Sequence, residues 1–67
     1  MKRSMMQKNI LDLIRKNNRI SAKVMSEALS VSSRTVEKNI KILREQGVLI
    51  RHGSARNGYW EIVDVVY

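Results

Sequence analysis

Apolar residues recur at Met6, Ile10, Leu13 and Ile14. Their spacing of i, i+4, i+7 and i+8 makes one face of a helix. Ser4 stands where an N-cap belongs. Asn17-Asn18 closes the segment, because asparagine tolerates the left-handed conformation of a helix stop, and the first helix is expected over about 5–17. Ile20 stands alone between polar residues. Ser21 is the next N-cap, and Ala22, Met25, Ala28 and Leu29 form a short second stripe with Lys23 and Glu27 facing out. That predicts a helix over about 22–29. Ser30-Val31-Ser32 makes a turn of about three residues before a third helix over about 33–46, with Ser32 as its N-cap. Val36, Ile40 and Leu43 are its apolar stripe. Gly47 supplies the stop, since glycine takes the left-handed cap without steric cost.

The period then changes. Val48 to His52 is β-branched and apolar, then basic, and a turn cluster runs from Gly53 to Asn57-Gly58. Tyr59 to Val63 alternates, with Trp60 and Ile62 on one face and Tyr59, Glu61 and Val63 on the other. Together these predict a β-hairpin over about 48–63. The order is helix, helix, helix, strand, turn, strand. The fold class is α+β, mainly α, as one domain over residues 1–67. There is no internal repeat or linker.

At 67 residues, with 43% of them hydrophobic, the chain can bury one small core of modest stability. The absence of cysteine excludes a disulfide framework and a thiolate metal site, and fits a cytoplasmic location. The run Val48-Leu49-Ile50 is far short of the ~20 apolar residues a spanning helix needs, so no membrane partner is expected. Lys2 and Arg3 mimic the start of a signal peptide, but Gln7, Lys8, Asn9 and Asp12 interrupt its apolar region.

Charge changes the picture most. The formal net charge is +7, which attracts polyanions. Residues 1–19 hold six basic side chains and one acidic, residues 32–58 six and two, and the last nine residues two acids and no base. The C-terminal stretch should therefore face away from a polyanion.

The chemistry concentrates on the third helix. Two helices joined by a turn of about three residues form a helix-turn-helix unit, whose second helix suits the major groove of DNA. At 100° per residue, Arg34, Lys38 and Lys41 project within about 60° of one another, opposite Val36, Ile40 and Leu43. Ser32, Ser33, Arg34 and Thr35 stand at the front of the helix, where unpaired N–H groups and the dipole favour phosphate. Arg34 can bridge guanine O6 and N7, and Lys38 can reach a base edge or a phosphate. The plainer alternative makes Ser32 only a cap and the lysines a solvated face. The hairpin is a second contact candidate, with Arg51 at its base and Arg56 at its tip. Its alternative is a hairpin that only covers the core.

Residues 9–63 resemble the winged helix-turn-helix domain of prokaryotic transcription regulators. They look most like the C-terminal domain of putative regulators related to the DNA helicase RecG, which carry a Schlafen-type ATP-binding domain. The resemblance rests on Ser32, Thr35 and Val36, on Gly47, Val48 and Leu49, and on Gly58, Tyr59, Trp60 and Glu61. It implies a DNA-reading helix and a hairpin wing. The chain has Ser26 where the family has alanine, Ser30 where it has a turn glycine, and Ile42 and Ile50 where it is polar. Two exposed isoleucines would mark a partner surface.

An enzyme is not expected, and neither is a cofactor or metal. His52 is the only histidine, and neither glycine flanking the hairpin opens a phosphate loop. Trp60 alternates with Ile62 and is read as a core aromatic, and Met25, at helical spacing, as a core residue rather than part of a cofactor box. Double-stranded DNA is the expected partner, contacted through Ser32, Ser33, Arg34, Thr35, Lys38, Lys41, Arg51 and Arg56. The competing reading is a winged helix used for protein contacts, as a homo-oligomer or against other domains of a parent chain. RNA is a third partner the same basic face would permit. Tyr67 follows an apolar run and no sensor domain is present, so a domain excised from a longer regulator is expected.

Overall fold

The computed structural model describes residues 4–54 and 57–63. Three helices precede a two-stranded sheet: α1 (Met5–Lys16), α2 (Ala22–Leu29), α3 (Ser33–Glu45), β1 (Leu49–His52) and β2 (Tyr59–Ile62). This is the mainly α winged-helix arrangement that the alternating periods predict.

Serine starts all three helices. The side chains of Ser4, Ser21 and Ser32 accept from the backbone N–H groups of Gln7, Val24 and Thr35, each at 3.2 Å. Each bond satisfies one donor that the helix start leaves unpaired, worth about 1 kcal/mol.

The helix ends differ. Asn17 does not enter the left-handed region expected of it; its φ of −151° is extended. Its side-chain Oδ1 instead accepts from the Arg19 N–H at 3.1 Å, and its carbonyl accepts from the Ile20 N–H at 3.1 Å. The amide thus turns the chain through its own hydrogen bond. α2 and α3 end on one shared geometry. After α3, Gly47 has φ 75°, its N–H donates to the Arg44 carbonyl and the Val48 N–H to the Leu43 carbonyl. After α2, Ser30 has φ 57°, its N–H donates to the Glu27 carbonyl and the Val31 N–H to the Ser26 carbonyl. Both are Schellman motifs. The second is formed without glycine.

Ile10, Leu11, Ile14, Ile20, Met25, Val36, Ile40, Leu43, Val48 and Leu49 make up the core. Two stripes are rotated from their expected positions. On α1, Leu11 is buried while Leu13 is only half-buried. On α2, Ala28 is exposed and Ser26 is buried, so the inward set is Ala22, Met25, Ser26 and Leu29. Ser26 can be buried because its hydroxyl donates to the Lys23 carbonyl at 2.6 Å.

β1 and β2 pair antiparallel, with Leu49 opposite Ile62, Arg51 opposite Trp60 and His52 opposite Tyr59. Leu49, Arg51, Trp60 and Ile62 therefore share the inner face, and Ile50, His52, Tyr59 and Glu61 the outer one. The hairpin is present, and its strands are joined where the turn cluster is expected. The connection spans residues 53–58, and the positive φ falls at Gly53. Gly58 is required for space: a Cβ there would collide with the carbonyl oxygens of Ser54 and His52.

Trp60 ties the wing to the helices. Its backbone N–H donates to the Asn18 carbonyl at 2.7 Å and its indole N–H to the Ile20 carbonyl at 2.9 Å. The ring is half-buried against the core.

Candidate nucleic-acid interface

α3 separates its two faces fully. Val36 and Leu43 are completely buried and Ile40 nearly so, while Arg34, Lys38 and Lys41 are exposed. Burial of the stripe leaves the helix no rotational freedom, so the cations are presented by packing. No described residue forms an ion pair with them. Two carboxylates bound the strip. Glu37 flanks it at about 60° from Arg34, and Glu45 falls about 20° from Arg34 at the helix's far end. The attractive stretch is thus the part from Arg34 to Lys41. Sequence reasoning missed Glu45, although its spacing of eleven from Arg34 closes three turns and was there to be read.

The helix start is organised in advance. Ser32 Oγ and Thr35 Oγ1 are 2.9 Å apart and share one hydroxyl proton, while Ser32 Oγ also receives the Thr35 N–H. The second hydroxyl proton of the pair is left for an outside acceptor. Thr35 is half-buried, and its carbonyl accepts from the Asn39 amide at 2.8 Å. Ser33 is exposed beside Arg34. Ser32, Ser33, Arg34, Thr35, Lys38 and Lys41 therefore lie along one helix.

The wing's cation is placed differently. Arg51 lies on the inner face, its guanidinium 4.7 Å from the centroid of the Trp60 ring. Its Nη2 donates to the Ser54 carbonyl at 3.2 Å. These contacts hold the hairpin's own turn. Arg56 lies outside the described residues. On the outer face His52 stacks on Tyr59 at 5.0 Å between centroids, and its Nε2–H donates to Glu61 Oε1 at 2.6 Å.

The model of the family described as an HTH (helix-turn-helix) domain matches residues 6–59. The chain belongs to the HTH domain family. Membership indicates DNA as the partner of this HTH domain. The match runs from α1 through the first residue of β2, and so includes the whole of α3. Comparisons with curated proteins and with solved structures return no match. Among the described residues, no helix of the domain is long and apolar enough to cross a membrane.

Further exposed cations stand outside the predicted set: Lys8, Lys16, Arg19, Lys23 and Arg44. Arg44 follows α3's own spacing but projects about 80° from Arg34, off the strip. Nothing in the local periodicity separates the others from ordinary solvated charge, and only the tertiary structure distinguishes them.

Proposed function

We propose that this HTH domain binds double-stranded DNA with sequence preference, in the regulation of transcription, in the cytoplasm and without catalysis of its own. α3 enters the major groove, and the wing lies along the backbone or the minor groove. The single observation that carries this reading is the exposed strip Arg34, Lys38 and Lys41, set directly opposite the buried Val36, Ile40 and Leu43. Arg34 reads a guanine with its planar fork; Lys38 and Lys41, as point charges, hold phosphates or a base edge. The Ser32–Thr35 pair and Ser33 take a backbone phosphate at the helix start. The resemblance of Gly58-Tyr59-Trp60-Glu61 supports a place among the RecG-related regulators, as a domain of a longer chain.

The test is selection of a preferred site from random duplexes, followed by binding of Arg34→Ala to that site and to its single-base variants. The variant should lose about 1–3 kcal/mol on the preferred site and become indifferent at one base pair. Full discrimination by Arg34→Ala contradicts the assignment of α3 as the reader.

A second reading rests on the outer face of the wing, where Ile50 and Tyr59 are 40% and 41% exposed. An apolar pair beside an already paired His52 and Glu61 suits a protein contact, with a second copy or with another domain of the parent chain. Concentration-dependent self-association with no duplex binding at any salt would favour it over the first.

A further inference from the structure

The loop between α1 and α2 holds Arg19 in an unusually determined position. Its backbone N–H donates to Asn17 Oδ1 at 3.1 Å. The carbonyls on either side of it, those of Asn18 and Ile20, both accept from Trp60, one from the backbone N–H at 2.7 Å and one from the indole at 2.9 Å. The Ile20 N–H closes back onto the Asn17 carbonyl at 3.1 Å, and the Ile20 side chain is buried in the core. The backbone around Arg19 is therefore fixed on both sides, while its side chain is exposed. Among the described residues it has no acidic partner; Asp12 pairs with Arg15, and Glu61 is hydrogen-bonded to His52.

Its place relative to the wing gives this meaning. Trp60 is the second residue of β2, two positions after Gly58 of the hairpin connection. Arg19 thus stands beside the tip-proximal half of the wing. Lys23, also exposed, continues the charge onto the first turn of α2. A long cation on a rigid backbone loses less freedom on meeting an anion than one on a mobile loop. We infer that Arg19 is a further phosphate contact, a cation beside the tip-proximal half of the wing that adds to those of α3, and that Trp60 holds it in place. The inference rests on the DNA-binding reading above. It adds affinity without base preference, because a phosphate contact bears no sequence information.

The experiment is the salt dependence of binding to a random-sequence duplex, for the wild type, Arg19→Ala, Arg19→Lys and Lys8→Ala. Lys8 is an exposed cation of α1, about 12 Å of helix before Lys16, and controls for the loss of one charge. Arg19→Ala should lower the magnitude of the slope of log affinity against log salt by about one, Arg19→Lys should restore it, and Lys8→Ala should leave it unchanged. Trp60→Phe, which keeps a ring but lacks the indole donor, should weaken binding with Arg19 present and have no effect in the Arg19→Ala background. Thermal melts of all variants check that the fold is kept. A wild-type slope in Arg19→Ala, or an equal drop in Lys8→Ala, overturns the inference. Equal effects of Trp60→Phe in both backgrounds overturn the role given to Trp60. A wild type whose affinity does not change with salt overturns the DNA reading itself, a failure visible before any variant is made.

Discussion

α3 and the wing both carry cations, and they use them in opposite ways. On α3, Arg34, Lys38 and Lys41 point into solvent without an acidic partner among the described residues. On the wing, Arg51 lies over Trp60 and donates to Ser54, and His52 is stacked on Tyr59 and bonded to Glu61. The helix presents its polar groups outward, while the wing turns its described ones upon itself. The difference comes from what each element can do alone. A helix satisfies its own backbone and is oriented by one buried stripe, so its outer face is free for a ligand. A two-stranded hairpin is marginal by itself and needs side-chain bracing to keep its shape. An arginine near a hairpin is therefore not equivalent to one on a packed helix, and Arg51 is the case in point.

The comparison is broken most severely at Trp60. Trp60→Ala removes the ring under Arg51 and both the packing and the indole bond to Ile20, and should cost about 3 kcal/mol or more. In a domain of this size that approaches the whole stability. A thermal melt with an unshifted midpoint would show that the wing is not braced this way. Gly58→Ala should act more locally. Its new Cβ meets the Ser54 and His52 carbonyls, so the hairpin connection must open, at about 1–3 kcal/mol. Amide exchange should then quicken in β1 and β2 but not in α3, and uniform quickening would mean that the two regions are not independent. Ser30→Gly sharpens the other side. Ser30 holds the left-handed position at the end of α2, where a Cβ is unfavourable. The variant should gain about 0.5–1 kcal/mol, read as a raised midpoint in a denaturant melt, with duplex affinity unchanged. A loss of stability would mean that the serine side chain contributes something that no described contact reveals.

Much of the fold was legible because it depends on short-range signals. Three serine caps, three apolar stripes and Gly47 place the helices to within a residue or so of their ends. The errors occur where a side chain had two options. Asn17 could take the left-handed backbone or bond its own neighbour, and it does the second. Ala28 reads as part of the inward stripe of α2, yet a bond to the Lys23 carbonyl lets Ser26 be buried while Ala28 is exposed. The turn cluster ending at Gly58 was legible, but the reason for that glycine, the close approach of the Ser54 and His52 carbonyls, was not. The strip on α3 could be read from spacing alone. The position of Arg51 over Trp60 and the pinning of Arg19 could not, because both depend on cross-strand register and on a bond spanning forty residues.

The central claim is that α3 meets duplex DNA through Arg34, Lys38 and Lys41. It is tested most directly by measuring the affinity of the wild type and of an Arg34→Ala, Lys38→Ala, Lys41→Ala triple variant for one duplex across a range of salt. The three side chains are exposed, so the triple variant should stay folded, which a melt confirms. The wild type should show a slope of log affinity against log salt of about −3 to −5, and the triple variant a slope smaller in magnitude by about two, because Lys38 and Lys41 hold phosphates while Arg34 reads a base. Equal slopes for the two proteins, with the variant folded, would place the DNA contact elsewhere on the domain and contradict the account.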